Sequence, residues 1–233
     1  MSVVLEYKNI NKSFGEKSVL KDINLQIESN KIIGLLGKNG SGKSTLFKLA
    51  NDLLTPTSGE VLIDGKSISP ETKKIVSYLP ERTYLDQSYK VEDVLKLFET
   101  FYEDFNREKA ENLLVDLQLD KTMRLSKMSK GMKEKVQLVL VMSRNAKIYI
   151  LDEPLGGVDP ASRDYILKTI LNNFNKDSTL LISTHLISDI EKILDDVIFI
   201  DNGEIVLQEN ADKLRKKEKG SIDEIFRRRF YVS

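Results

Sequence analysis

The chain has 233 residues, with 36 basic and 36 acidic side chains and no cysteine. That length suits one large α/β domain or two small ones and needs no staples to hold a core. The charge balance offers no electrostatic case for nucleic acid, and the lack of thiols excludes disulfides and cysteine metal sites, as suits a reducing compartment.

Met1-Ser2-Val3-Val4-Leu5-Glu6 lacks a basic region followed by a long apolar stretch, so it does not read as a signal peptide. No apolar run approaches the ~20 residues that cross a bilayer, so any work at a membrane is expected to go through a partner. The first forty residues are β-rich. Ile23, Leu25 and Ile27 alternate with Asn24, Gln26 and Glu28, the pattern of a half-buried strand. The apolar run Ile32–Leu36 is followed by Gly37-Lys38-Asn39-Gly40-Ser41-Gly42-Lys43-Ser44-Thr45, and then by a helical stretch carrying Leu46, Phe47, Leu49, Ala50, Leu53 and Leu54. Strand, glycine-rich turn and helix form a phosphate-binding loop. Glycines let backbone N–H groups close on a polyphosphate, and the helix points its positive end at the same anion. Lys43 is placed to reach the outer phosphates, and Ser44 to hold Mg2+.

Val61-Leu62-Ile63 predicts a strand ending in the turn Asp64-Gly65, and Ile75–Leu79 another. From Val91 the period becomes helical. One stripe is Val91, Val94, Leu95, Phe98, Phe101 and Tyr102, and a second is Ala110, Leu113, Leu114 and Leu117. A third helix is expected over Met132–Arg144. This makes a helical insert over roughly residues 85–145 of a single 1–233 domain. Lys147–Glu153 reads as a buried strand ending in two carboxylates, and Asp159-Pro160 caps and opens a helix. Thr179–Ser183 is a strand followed by His185, Val197–Leu207 a hairpin around Asn202-Gly203, and residues 211–233 a charged helical tail. Its Lys/Arg clusters suit a solvated helix face better than contact with anionic headgroups. The alternation predicts an α/β, P-loop NTPase fold: a mainly parallel sheet covered by helices, with an N-terminal antiparallel β part and the helical insert.

Asp152 and Glu153 end their strand at the same edge of the sheet as the loop. Alternation sends neighbouring strand residues to opposite faces, so the two are expected to differ in task. Asp152 is placed to hold Mg2+, and Glu153 to take a proton from the attacking water. His185, the only histidine, ends a strand on the ligand side, where its imidazole can bond a γ-phosphate oxygen. No second histidine or cysteine exists to make it a metal ligand.

In this order the pieces resemble the ATP-binding subunit of ABC transporters, from about Leu5 to Leu207. Met128-Ser129-Lys130-Gly131-Met132 is similar to the signature Leu-Ser-Gly-Gly-Gln of that family, and Ser-Lys-Gly-Met-Lys resembles the drug, polysaccharide and lantibiotic exporter branch. The resemblance implies a head-to-tail dimer in which Ser129 and the Gly131 N–H contact the γ-phosphate held by the other subunit, either a second copy or a homologous ATPase. It implies that Phe14 stacks on adenine, that Gly157-Val158-Asp159 lies at the dimer interface, and that Glu81 takes the place where the family usually carries glutamine. Ionised glutamate only accepts; it can still ligate Mg2+. ATP and Mg2+ are the implied ligands. An integral membrane permease is the implied partner, with the chain on the cytoplasmic face of the membrane.

Three other readings carry less weight. One is an ABC-type ATPase outside transport, such as a cluster-assembly ATPase. A GTPase or kinase is a second, and a guanine-reading Asn-Lys-x-Asp segment is missing late in the chain. A clamp without turnover is the third, and Asp152, Glu153 and His185 argue against it.

Overall fold

The computed structural model describes residues 2–175 and 177–231. β1 (Val3–Phe14) and β2 (Lys17–Glu28) form a hairpin, and β3 (Ile32–Leu36) leads into α1 (Lys43–Ala50). β4 (Ser58–Ile63) turns through Asp64-Gly65 into β5 (Lys66–Ser67), and α2 (Pro70–Lys74) precedes β6 (Val76–Leu79). The helical insert holds α3 (Val91–Phe101), α4 (Arg107–Asp116) and α5 (Lys130–Met142). Then come β7 (Ile148–Asp152), α6 (Pro160–Asn173), β8 (Thr179–Thr184), α7 (Ile187–Ile190), β9 (Asp196–Asp201) and β10 (Glu204–Asn210). α8 (Ala211–Glu218) and α9 (Ile222–Phe230) make the tail.

The strands form two sheets, β2-β1-β4-β5 and β10-β9-β3-β8-β7-β6. The first is antiparallel; the second is parallel apart from the β9–β10 edge pair. Every residue of β7 and β8 is buried, as a strand covered on both faces requires. Side chains alternate between two cores. Ile33, Leu35, Ile148, Ile150, Ile198 and Ile200 face one, which the antiparallel sheet and α1 close. Leu36, Tyr149, Leu151, Val197 and Phe199 face the other, a purely helical layer running from the insert to the tail.

Three expectations shift. The helix after the phosphate loop ends at Ala50 rather than reaching Leu54, and Asp52 adopts a positive φ of 56° while Leu53 is exposed. Phe101 leaves the stripe of α3 and stands 72% exposed, because α3 stops there and Tyr102 turns to extended backbone. The tail is more than a charged face. Phe226 and Phe230 pack on Phe199 at ring distances of 5.3 and 5.9 Å, docking α9 on the sheet. Its arginines are engaged within the chain, Arg227 with Asp223 and Arg229 with Glu218.

The insert is anchored by buried Arg144. Its guanidinium pairs with Asp104 at 2.8 Å, donates to the carbonyls of Lys74 and Val76, and lies 3.9 Å from the ring centre of Tyr102. Removing one partner would leave a buried charge, so this knot fixes where the insert meets β6.

Candidate active site

Apart from Phe14 and the side chain of Lys38, the functional candidates gather at the carboxyl ends of the parallel strands, where such sheets bind ligands. Asn39, Gly40, Gly42, Lys43, Ser44, Thr45, Glu81, Glu153 and His185 line a cleft of about 890 Å3. The chain can close this loop only with glycine. A Cβ on Gly37 would lie 2.4 Å from the carbonyl oxygen of Ile200 and 2.5 Å from Ser41 Oγ. Gly42, which caps α1, has φ 112°, where a side chain is strained.

Lys43 is buried. Its ammonium donates to the carbonyls of Gly37 (2.8 Å) and Lys38 (3.2 Å) and stands 3.7 Å from Glu153 Oε1. Burial pulls its pKa below the ordinary lysine value despite the carboxylates of Glu153, Asp152 and Glu81 around it. Ser41 Oγ is buried with no hydrogen-bond partner among the described residues. A buried cation, an orphaned hydroxyl and the free N–H groups of the first turn of α1 fit a polyphosphate. Lys38 extends away from the cleft, its ammonium 4.8 Å from the ring centre of Tyr231.

Strand alternation is not what separates Asp152 from Glu153. The strand ends at Asp152, and Glu153 turns into the left-handed region with φ 51°. Its N–H donates to the carbonyl and the hydroxyl of Ser183, both at 3.1 Å. Strained backbone of this kind persists only where the surroundings over-determine it. Asp152 stays in the sheet, 1% exposed, and accepts a 2.6 Å bond from Ser183 Oγ. Burial raises its pKa; the hydroxyls of Ser183 and Ser44 oppose this, and the nearby charges of Glu81 and Glu153 add to it. No cluster of three His, Cys, Asp or Glu side chains among the described residues forms a metal cage. Ser44, Asp152 and Glu81 are oxygen donors that fit Mg2+ only with oxygens from a bound nucleotide.

Glu153 is the hub. Oε1 faces Lys43, while Oε2 lies 2.9 Å from His185 Nδ1 and accepts the His185 N–H at 3.3 Å. A neutral imidazole donating from Nδ1 has only an acceptor left at Nε2, so bonding a phosphate oxygen as well takes the imidazolium form.

Ser129 caps α5, accepting the Met132 N–H at 3.2 Å, and Gly131 has open space around it. Both line a second cavity of about 210 Å3 that shares Glu81 and Glu153 with the main cleft. Phe14 is apart: it ends β1 half-exposed under the Lys12 ammonium (4.8 Å), and Lys17, Ser18 and Val19 line the cleft near it instead. Sequence reasoning passed over Ser183. Thr179 and Thr184 in the same buried strand also carry hydroxyls, so nothing in the sequence set Ser183 apart.

A family profile described as "ABC transporter" matches residues 20–156, more than half of the chain and the stretch from the phosphate loop through the two carboxylates. The chain belongs to the ABC transporter family. As an ABC ATP-binding subunit it is similar to the lantibiotic transport ATP-binding protein SrtF of Streptococcus pyogenes, 29% identical over 90% of this chain and 92% of that one. It is also similar to the lipopolysaccharide export system ATP-binding protein LptB of Haemophilus influenzae, 27% identical over 93% and 94%. A solved structure described as "Structure of ATP binding subunit of ABC transporter" superposes with a TM-score of 0.85 at 27% identity, covering 96% of this chain and 98% of that one. This ABC subunit binds ATP, and it is an ATPase whose hydrolysis serves transport. No helix among its described residues is long and apolar enough to cross a membrane.

Proposed function

We propose that this ABC subunit is the motor of an exporter. Two copies, or one copy and a homologous ATPase, close head-to-tail on ATP and reopen after hydrolysis, moving a separate membrane permease at whose cytoplasmic face the subunit is held. The observation that carries this reading is the convergence of Lys43, Glu153 and His185 on one cleft beside the glycine loop.

The loop N–H groups and Lys43 hold the β- and γ-phosphates, and Phe14 offers a face for the adenine. Ser44, Asp152 and Glu81 are the residues that would hold Mg2+, which when bound neutralises charge on the transferred phosphoryl group. Glu153 accepts a proton from the attacking water, and His185 orients the Glu153 carboxylate and bonds the γ-phosphate. Ser129 and the Gly131 N–H complete the site of the opposite subunit, since Gly131 in the first turn of α5 has open space around it.

The surface we assign to the permease is the groove of about 460 Å3 rimmed by exposed Leu53 and Tyr84. Pro80 and Arg82, which flank Glu81, form part of its wall, so an occupant touches the loop that reaches the cleft. The likeness of Ser-Lys-Gly-Met-Lys to the exporter branch, and a relative named for lipopolysaccharide export, support the outward direction.

The test is purification from native membranes with and without Mg-ATP. A multi-span protein that copurifies and raises ATP turnover is expected. Recovery of an active ATPase with no membrane partner would overturn the transport assignment and favour an ATPase outside transport, such as one in cluster assembly.

A further inference from the structure

α5 carries a buried polar group that the roles above leave unused. Gln137 is 2% exposed, and its Nε2 has no hydrogen-bond partner among the described residues. An amide N–H left so costs stability, and such groups persist where another arrangement satisfies them. Gln137 lines the 210 Å3 cavity together with Leu79, Glu81, Asp152 and Glu153.

The fold explains why this amide lies there. Ser77 Oγ on β6 donates to the carbonyl of Val141 on α5 at 3.0 Å, which pins helix to strand. Gln137 is four residues before Val141, about 6 Å back along the helix. Leu79 is two residues after Ser77, about 7 Å forward along the strand. Helix and strand run in opposite directions, so these steps bring Gln137 beside the strand end that leads through Pro80 to Glu81.

Five carboxylates line this cavity, and four are committed: Glu134 pairs with Lys130, and Asp159 accepts the Ser162 N–H as the cap of α6. Asp152 is held by Ser183, and Glu153 by His185 and Lys43. Glu81 has no hydrogen bond or ion pair to another described residue. A buried donor without a partner and a solvent-exposed carboxylate thus share the walls of one small cavity. We propose that Gln137 is a positioning residue: its amide donates to the Glu81 carboxylate once that side chain turns into the cavity. The contact holds one carboxylate oxygen of Glu81 and leaves the other for the Mg2+ role given above. Because Ser129 caps the same helix, the contact also ties the signature segment to the loop beside the cleft. The inference deepens the ATPase reading and depends on it.

The experiment measures kcat and KM for Mg-ATP together with nucleotide affinity, on the full chain. Gln137→Met keeps the volume and removes the donor. It should lower kcat by about tenfold, the worth of one hydrogen bond to a charged group, with affinity within about twofold because the phosphate loop is untouched. In a Glu81→Ala background the same change should have no further effect. Gln137→Glu sets two carboxylates face to face and should lower kcat further, whereas Gln137→Glu with Glu81→Gln restores donor and acceptor and should raise kcat at least about fivefold above Gln137→Glu alone. Additive losses in the Met/Ala cycle, or a swap no better than Gln137→Glu alone, overturn the proposal. Should the charged variant fail to fold, the Met/Ala cycle decides by itself. A wild-type chain that turned over no ATP would sink the ATPase reading and this inference together; additivity on an active wild type sinks this inference alone.

Discussion

Glu153→Gln offers the sharpest test of the active site, because it separates binding from turnover. Glutamine keeps the shape and can still accept the His185 N–H, but it removes the charge that stands 3.7 Å from the Lys43 ammonium. At an effective dielectric of about 20, that attraction is about 4 kcal/mol. Both groups are largely buried, so solvent screening removes only part of it. In the free protein this attraction competes with the phosphates for Lys43, and with ATP bound the carboxylate also repels the γ-phosphate. If only ~1 kcal/mol of this survives in the balance, the variant binds ATP about fivefold more tightly. Turnover moves the other way: loss of the group that accepts the proton costs about 10²–10⁴ in kcat. Titration calorimetry with Mg-ATP gives the affinity, phosphate release gives the rate, and gel filtration with ATP reports whether a stable dimer accumulates. Turnover within threefold of wild type would remove Glu153 as proton acceptor. Weaker ATP binding would show that its pairing with Lys43 does not oppose the nucleotide.

Other perturbations follow from the same geometry. Lys43→Met should abolish ATP retention yet raise the ligand-free melting temperature by up to a few degrees, because burial disfavours the ammonium more than its neighbours help it; a marked fall in melting temperature would contradict that balance. Gly37→Ala places a Cβ 2.4 Å from a backbone oxygen of β9, so both nucleotide binding and thermal stability should drop, whereas Gly131→Ala meets open space and should leave the melting temperature within a degree while blocking ATP-driven pairing in gel filtration. Phe226→Ala removes a ring packed on Phe199 and Phe230 and should cost about 3–5 kcal/mol, on the order of 10 °C by differential scanning calorimetry; a shift below 2 °C would mean that the tail is not part of the core.

Much of this molecule is written locally. The glycines of the phosphate loop, the alternation of β2, the Asn202-Gly203 turn and the Asp159-Pro160 helix start each act within a few residues, through backbone freedom, periodicity or a capping bond, and each stands where the sequence placed it. The gathering of Lys43, Asp152, Glu153 and His185 on one edge also follows from order alone, since parallel strands deliver their carboxyl ends to the same side. Other features depend on partners distant in the chain. Glu153 and His185 are 32 residues apart, and only the pairing of β7 with β8 brings Ser183 beneath Asp152 and turns the Glu153 backbone left-handed. The covering of one sheet face by a second sheet, the docking of Phe226 on Phe199 and the burial of the Gln137 amide are decided by which surfaces meet. Hydrophobic burial is non-directional and selects no partner from local sequence, so these contacts exist only once the layers have packed.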